Sequence, residues 1–340
     1  MFFIVPGATN CTFTNTSFDI DGFDSFDVVG NYLYLVGKAT DELEIWDVTV
    51  PTAAVLKSTT STGVGTGPYD VRVKGNYAYI TYYTTAELAV WDISNPLAPS
   101  ESGKVSVAGG PFSVEVHPSA DYCYVANNDF STTNNMKVVN VANPAAPSVT
   151  GTWIFNASNG SNVWEMAHDG TRLWVTANYN SVSGYDFLCA IDLSTPASPV
   201  TLGTPLQFAV EGGSNQAARG LVLDGNYAYV DCTTSRKFKV CLISTPITPS
   251  LAGELTWTGT SAHSLSRCSK YNGKVFVSCN TGTGLQLYSA DVSNPASPTE
   301  STDYASDGDG TFDVKVVGNL LFYFTGNGTQ KVYIWCLEDI

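Results

Sequence analysis

The sequence predicts an all-β protein: a seven-bladed β-propeller of four-stranded blades, whose N- and C-terminal strands close the ring together in one blade. Three observations lead to this prediction. A double-proline phrase and a Gly-Asn hairpin phrase each recur about every 50 residues, and no stretch shows a sustained 3.6-residue apolar period. The 340 residues therefore predict one repetitive domain spanning 1–340.

The double-proline phrase, as in NPLAP at 95–99, ends the third strand of a repeat. Its six copies have as their first prolines Pro51, Pro96, Pro144, Pro196, Pro246 and Pro295. The five intact copies lie 48 to 52 residues apart, and in the earliest copy Ala54 replaces the second proline. Proline has no N–H for a strand ladder and keeps the preceding residue out of helical geometry, so the phrase predicts a turn after a strand.

The hairpin phrase, as in GNYAYIT at 75–81, joins the first two strands of a repeat. Its seven copies lie at 30–36, 75–81, 121–126, 171–176, 225–231, 273–278 and 318–324. Gly-Asn supplies the positive φ that a tight hairpin requires. An alternating run precedes each copy and a further apolar run follows it. Each unit therefore reads as strand, turn, strand, loop, strand, proline turn and a weak fourth strand, which is typical of a propeller blade.

The units place the blades at about 25–62, 69–107, 112–154, 163–207, 218–257, 263–303 and 312–340, the last completed by residues 1–17. The seventh unit ends where its proline turn would come, whereas some 25 residues precede the first inner strand. FFIVPG (2–7) or CTFTNTSF (11–18) is therefore expected to supply the outer strand of the last blade. Such a closure hides a sheet edge.

The units resemble the LVIVD-repeat family, whose pattern is roughly "v-x-v-x-G-n-y-A-Y-v … l-x-v-x-D-v-S-n-P-x-x-P". The resemblance covers about residues 25–340 and is best in units 2, 5 and 6, whereas unit 3 replaces Gly-Asn by Ala-Asp and unit 4 reads DGTRLWV. It implies a β-propeller of the kind found in surface-associated or secreted bacterial and archaeal proteins and in some viral structural proteins. It implies no reaction, and the shared residues build blades rather than an active site.

Composition argues against several partners. Only 14% of residues are charged, and the net charge of −15 repels nucleic-acid backbones and anionic membrane surfaces. The N-terminus has no basic segment before its short apolar run, and no stretch reaches 18 apolar residues. The sequence therefore predicts neither a signal peptide nor a transmembrane segment.

The eight cysteines contain no CxxC pair. Several lie inside strand-like runs, and the sequence predicts that they are reduced and act as small buried apolar residues; these are Cys123, Cys189, Cys232, Cys279 and Cys336. A Cys232–Cys241 bridge across one hairpin remains an alternative that geometry would decide. The three histidines lack metal-ligand spacing, and no GxSxG or P-loop motif occurs.

Two glycine-bent acidic loops flank the seam between units 7 and 1. Closely spaced carboxylates on such loops suit a hard cation, so the loops are candidate Ca²⁺ ligands, with a solvated acidic turn as the alternative. The residues concerned are Asp19, Asp21, Asp24, Asp307 and Asp309.

Three carboxylates align at the same entry position of inner strands, near where a propeller's central channel opens: Asp70, Glu165 and Asp313. The matching positions in units 1, 3 and 5 hold Ser25, Ser113 and Gly220. This set is a candidate ligand-binding site, and an acid–base pair drawn from two blades remains open. The equivalent tryptophans on third strands predict packing between blades rather than a sugar platform; they are Trp46, Trp91 and Trp335.

The expected function is a non-enzymatic binding or scaffold module that contacts a protein or glycan partner at an extracellular or virion surface, as an adhesin or a structural decoration subunit. It is expected to belong to a larger assembly, without nucleic acid or membrane insertion. The alternative is a propeller-hosted hydrolase or lyase that uses channel-mouth carboxylates and a divalent cation. Because propellers place function in loops on a generic frame, the residues alone do not name the ligand.

Overall fold

The protein is a seven-bladed β-propeller, as the repeats predict. The computed structural model describes residues 15–20, 22–127, 135–155, 161–179, 185–208, 217–258, 267–279, 287–301, 311–325 and 330–337. Within these ranges the strands form seven four-stranded antiparallel sheets, and the helical content is a single 3₁₀ turn at Pro51–Ala53. No helix in the described ranges has the length and hydropathy needed to cross a bilayer.

Each blade is a meander from an inner strand to an outer strand. Blade 1 contains Ser25–Val29, Tyr32–Gly37, Glu42–Asp47 and Val55–Ser61. Blade 2 contains Pro68–Lys74, Tyr77–Tyr82, Glu87–Asp92 and Ser100–Ser106. Blade 3 contains Pro111–Val116, Tyr122–Asn127, Met136–Asn140 and Ser148–Trp153. Blade 4 contains Ser161–His168, Arg172–Tyr179, Asp186–Asp192 and Val200–Phe208.

The remaining blades follow the same order. Blade 5 contains Ala218–Asp224, Tyr227–Cys232, Lys237–Leu242 and Ser250–Thr256. Blade 6 contains Cys268–Tyr271, Lys274–Ser278, Leu287–Asp291 and Thr299–Ser301. Blade 7 contains Thr311–Val317, Leu320–Thr325 and Lys331–Cys336, and its outer strand is Asn15–Asp19.

The ring closes through blade 7, where the N-terminal strand pairs antiparallel with the last strand of the chain. Its register sets Thr16 opposite Ile334 and Asp19 opposite Lys331. The closing strand overlaps the CTFTNTSF segment, one of the two expected sources. Phe18 on this strand stacks on Trp46 of blade 1 at a ring-centroid distance of 4.4 Å. The predicted closure by both termini in one blade is therefore confirmed.

The Gly-Asn phrase forms two-residue hairpins. In four blades the glycine has a φ between 55° and 62°, whereas the asparagine that follows does not adopt positive φ; these glycines are Gly30, Gly75, Gly225 and Gly318. A positive φ at the first central position alone is the type II′ pattern, which matches the twist of the two strands. Glycine is required there because it has no Cβ.

The core lies between blades. Buried side chains of one blade pack against those of the next, as where Phe26 on the inner strand of blade 1 meets Phe324 on the second strand of blade 7 at a ring-centroid distance of 5.8 Å. The buried Trp91 packs against Tyr34 and Val36 of blade 1. Like Trp46, it contributes to an interface between blades, as the repeat predicts.

The Asp-x-Ser-Asn-Pro phrase folds as two successive side-chain-capped turns. The carboxylate of Asp92 accepts the backbone N–H of Ser94 at 2.9 Å, and the side-chain oxygen of Asn95 accepts the N–H of Leu97 at 3.2 Å. The N–H of Ala98 then donates to the carbonyl of Asn95 at 3.0 Å. Asp and Asn side chains close turns of this kind because they bond to the backbone two residues ahead.

These proline turns dock on the outer strand of the preceding blade. A Cβ placed on Gly103 of blade 2 would lie 2.7 Å from the carbonyl oxygen of Ala145 in the turn of blade 3, closer than any real contact. In blade 1 a serine takes this place, and Ser58 Oγ donates to the carbonyl of Pro96 at 2.8 Å. The repeated phrase therefore links neighbouring blades as well as ending strands.

The cysteines differ from expectation at one place. Cys232 and Cys241 are free thiols, so no bridge joins them. Cys336, however, is disulfide-bonded, and its partner lies outside the described residues. The prediction that Cys336 is reduced is wrong because its strand sits at the ring seam, where it meets the N-terminal strand. A strand-like sequence context alone does not distinguish it from the buried free cysteines.

Candidate functional site

The central channel brings the predicted carboxylates together at one level. In three blades the inner-strand residue at the channel position donates its backbone N–H to the side-chain hydroxyl of the residue eleven positions later. This shared hydrogen bond shows that the three channel positions are structurally equivalent. The pairs are Asp70 with Thr81 at 3.0 Å, Glu165 with Thr176 at 3.2 Å, and Arg267 with Ser278 at 2.9 Å. Arg267 of blade 6 therefore occupies the position that holds carboxylates in blades 2 and 4.

Asp70 is completely buried and makes four polar contacts. Its Oδ1 accepts from Ser25 Oγ at 2.8 Å and from Arg72 Nη1 at 3.0 Å, with Arg267 Nη2 at 3.4 Å, and its Oδ2 accepts the N–H of Val114 at 2.9 Å. Burial alone would raise the pKa of Asp70, but the two guanidinium groups and these hydrogen bonds hold it below its ordinary value. Asp70 is therefore ionised and paired.

Asp313 is bound to the same serine. Ser25 Oγ lies 3.1 Å from Asp313 Oδ2, and the N–H of Val314 donates to its Oδ1 at 2.8 Å. Burial raises the pKa of Asp313, although Arg267 and Arg72 oppose that shift. Ser25 has one hydroxyl hydrogen and can therefore donate to only one of the two carboxylates. A protonated Asp313 would donate to Ser25 Oγ while Ser25 donates to Asp70, and both contacts would then be hydrogen bonds.

Glu165 is held by the same two arginines. Arg267 forms an ion pair with it, and Arg72 Nη2 lies 3.5 Å from its Oε1. Arg267 thus spans the channel from blade 6 to blades 2 and 4. The three predicted site residues form one network through Ser25 and the two arginines, and Ser113 and Gly220 occupy the equivalent positions without entering it in the described contacts.

A second layer lies two residues further along the inner strands. Asp27 accepts the N–H groups of Val28 at 2.9 Å and Val73 at 2.8 Å and forms an ion pair with Lys315. Glu115 lies 3.9 Å from Arg72 Nε.

Glu115 also lies 3.7 Å from Nε2 of His168. Burial raises the pKa of Glu115, while the nearby Arg72 and His168 act in the opposite direction. Both layers of the channel are therefore built from opposite charges in contact.

Sequence reasoning found the carboxylates but missed their cations. Arg72 and Lys315 each lie two residues after a predicted carboxylate on the same strand, and so point to the same side. Arg267 lies eleven residues before a hydroxyl, the spacing that also relates Asp70 and Glu165 to theirs. The alternation of side chains along a strand and the eleven-residue spacing could therefore have predicted these three cations at the channel.

The channel contains two cavities among the described residues. The first, of about 170 Å³, is lined by Phe26, Glu165, Arg267, Asp313 and Lys315, among others. The second, of about 370 Å³, lies at the end where the hairpins turn. Its charged or titratable lining is Asp27, Arg72, Lys74, Glu115, His117, His168 and Lys315.

The acidic loops are only partly within the described residues, since Asp21, Asp307 and Asp309 lie outside them. Asp19 is exposed, with its Oδ1 3.9 Å from Lys331 Nζ. Asp24 accepts the backbone N–H of Lys38 at 2.6 Å, and burial raises its pKa. The described part of the chain contains no cluster of three or more His, Cys, Asp or Glu suited to a metal ion. Calcium binding at these loops stays a prediction.

An aromatic arc lies at the opposite end of the channel from the hairpins, and three of its four residues directly precede channel positions. We define this arc as Tyr83, Tyr69, Phe112 and Trp164. Consecutive ring centroids are 5.7, 4.6 and 5.3 Å apart. The first three rings are half-buried, and Trp164 is buried with its Nε1 donating to Asn178 Oδ1 at 3.1 Å.

A cation stacks on each end of the aromatic arc. The Nζ of the exposed Lys38 lies 4.4 Å from the ring centroid of Tyr83, and the guanidinium of Arg219 lies 4.2 Å from that of Trp164. Cation–π contacts of this kind keep both partners in place. The arc therefore crosses blades 2 to 4 beside the channel mouth, and its two flanking cations come from blades 1 and 5.

Comparison with known proteins bears on the family and the fold. The family model of the LVIVD repeat matches residues 24–62, 68–107, 113–153, 216–255 and 286–306, which together are more than half of the chain. No curated protein matches the chain.

Solved structures similar to this chain are propellers of low sequence identity. The β-propeller domain of Myceliophteria thermophila Cps50 (Swd1) has a TM-score of 0.69 and 12% identity, covering 94% of this chain and 98% of that one. A chain of a mitotic checkpoint complex has a TM-score of 0.68 and 11% identity, covering all of both chains. Streptogramin B lyase has a TM-score of 0.63 and 8% identity, covering 94% and 96%. At these identities the likeness shows the fold alone.

Proposed function

The chain belongs to the LVIVD-repeat family, and we propose that it is a non-enzymatic binding or scaffold propeller, which holds a protein or glycan partner at an extracellular or virion surface. The observation that supports this most strongly is the pairing of the channel carboxylates. Asp70, Glu165 and Asp313 are buried, and each is in contact with a guanidinium, a hydroxyl or a backbone N–H.

This pairing argues against the hydrolase or lyase alternative. A general base needs a carboxylate that can accept a proton from a substrate within hydrogen-bond reach, and a divalent cation needs carboxylate oxygens free to coordinate it. Arg72 and Arg267 occupy the space between the carboxylates of blades 2 and 4, which is where such a substrate or cation would lie. A propeller can host either role, since similar folds occur in a lyase and in a multiprotein complex.

The aromatic arc is the surface that suits a partner. Tyr and Trp side chains contribute strongly to the binding energy of protein interfaces because they offer large contact areas with few rotatable bonds. The half-buried rings of Tyr83, Tyr69 and Phe112 are held by one another, so little conformational entropy remains to be lost on binding. Lys38 adds an exposed positive charge in a chain of net charge −15.

The test is binding by variants of the arc, with matched variants elsewhere. Tyr83→Ala and Lys38→Glu alter the arc, whereas Tyr77→Ala at the hairpin end and Lys104→Glu on an outer strand change the same residue types away from it. Labelled protein is applied to a glycan array and to intact cells, and bound glycans are recovered for mass analysis. We expect both arc variants to lose at least tenfold in binding and both controls to retain it, with recovered glycans unchanged in mass. Equal binding by all four variants, or a recovered glycan that has been cleaved, would overturn the proposal.

A further inference from the structure

The cavity of about 370 Å³ at the hairpin end of the channel is a basic pocket in an acidic protein. We call it the hairpin-end pocket and define it by its charged or titratable lining, which is Asp27, Arg72, Lys74, Glu115, His117, His168 and Lys315. It lies on the propeller axis, at the opposite end from the aromatic arc. Five of its seven charged or titratable side chains are of basic type, although the chain has 16 Lys and Arg against 31 Asp and Glu.

Lys74 is the least neutralised cation of this pocket. Its ammonium donates to the backbone carbonyls of His117 at 2.7 Å and of Ala120 at 3.0 Å. Among the described residues no carboxylate lies within 4.0 Å of it. An ammonium carries three hydrogens, so one donor remains after these two bonds. The two carbonyls fix the position of the charge without cancelling it.

The carboxylates of the pocket are already largely satisfied. Both oxygens of Asp27 accept backbone N–H groups, so its ion pair with Lys315 comes in addition to them. Glu115 is shared between Arg72 and His168 at 3.9 and 3.7 Å, which are long distances for ion pairs. Two carboxylates therefore face three permanent cations and two imidazoles.

We propose that the hairpin-end pocket binds a small organic anion that bears a carboxylate or phosphate group. Lys74 supplies its remaining N–H, and Lys315, whose side chain is 36% exposed, supplies a second ammonium. Arg72 forms the floor, because its guanidinium is fixed there by Asp70. The volume exceeds the roughly 30 Å³ that one water molecule occupies by about tenfold, so the pocket has room for more than a bare inorganic ion.

This site is separate from the aromatic arc, so either proposal can fail without the other. The measurement is isothermal titration calorimetry of the whole chain with three probes, namely citrate, inorganic phosphate and, as the control anion, chloride at matched ionic strength. Lys74→Gln and Lys315→Gln alter the pocket, and Lys104→Gln, on an exposed outer strand, is the matched control.

We expect citrate or phosphate to bind and chloride to give no saturable heat. Each pocket variant should lose at least tenfold in affinity, and Lys104→Gln should bind as the wild type does. Binding of citrate alone would identify a carboxylate ligand, and binding of phosphate alone a phosphorylated one. Absence of saturable binding for both anions, or equal affinity in all variants, would refute the proposal. Among the described residues Lys315 donates to no backbone carbonyl, so its variant stays informative if Lys74→Gln fails to fold.

Discussion

Replacing Arg267 by Met tests whether the channel network holds the blades together. The side chain of Arg267 is 13% exposed and pairs with carboxylates of two other blades, Asp70 and Glu165. Methionine keeps the unbranched apolar stem and removes the charge. The variant therefore leaves two buried carboxylates short of a cation without emptying the space that the stem occupies.

The magnitude follows from burial. Removing one partner of a buried ion pair costs about 3–5 kcal/mol, because an uncompensated charge stays in a low-dielectric environment. Unfolding entropy near 60 °C is about 2.1 cal/mol/K per residue, which for a chain of this length gives roughly 0.7 kcal/mol/K. The expected fall in the unfolding midpoint is therefore about 4–7 °C at neutral pH.

The fall in the unfolding midpoint caused by Arg267→Met should become smaller as the pH is lowered. The pKa of Asp70 is held below its ordinary value in the folded state, so Asp70 contributes stability above the unfolded carboxyl pKa of about 4 and loses it as pH falls. Arg267 is one source of that shift. The difference in midpoint between the wild type and Arg267→Met should therefore be largest at pH 7 and shrink towards pH 3.

Thermal unfolding followed by circular dichroism at pH 7, 5 and 3 measures this difference. Arg172→Met is the matched control, because Arg172 pairs with Asp169 at 2.8 Å in an exposed hairpin, where a single ion pair contributes about 0–1 kcal/mol. Adding Glu165→Gln to Arg267→Met should restore part of the loss by removing a stranded charge. The reasoning fails if Arg267→Met costs no more than Arg172→Met at pH 7, or if its cost does not change with pH.

Three further outcomes are expected. Gly103→Ala should destabilise the protein by about 1–3 kcal/mol, because the added methyl meets the backbone of the next blade's proline turn. Gly273→Ala, whose Cβ would lie 3.4 Å from its nearest neighbour, is the control, and equal thermal midpoints for the two would contradict the docking. Thiol titration of the denatured protein should find six free cysteines of the eight before reduction and all eight after it, since Cys336 is disulfide-bonded; eight at the outset would show that the bond is absent. Millimolar Ca²⁺ should raise the unfolding midpoint relative to EDTA if the acidic loops bind it, and Asp307→Asn with Asp309→Asn should abolish the rise, whereas a midpoint indifferent to Ca²⁺ leaves the loops as solvated turns.

The fold could be predicted from sequence because its signals are local and repeated. Each hairpin glycine and each double proline restricts its own backbone whatever surrounds it, and their spacing then counts the blades. Even the closing strand followed from the missing seventh proline turn. Its bounds, Asn15–Asp19, could not be read in advance, because two segments near the N-terminus have similar strand-like character.

The candidate site was predictable only in part. Alignment of the repeats places Asp70, Glu165 and Asp313 at one level of the channel, but which charges compensate them depends on long side chains that cross between blades. Arg267 reaches carboxylates some 100 and 200 residues away along the chain, and no local pattern encodes that meeting. The bonded state of Cys336 is a second such case, because it depends on a partner at a distant point of the sequence.

The docking of the proline turns on the outer strand of the preceding blade means that one repeat carries the residues for contact with both of its neighbours. Each of these units has a proline turn that contacts the preceding blade. Its outer strand has a position without a large side chain, Gly103 in blade 2, that receives the turn of the following blade. Because each unit brings both halves of this contact, duplication of a unit adds a blade that packs on its neighbours through the same contact. Blade 7 instead takes its outer strand from the N-terminal side of the chain, so at this blade a distant part of the sequence replaces the copied fourth strand.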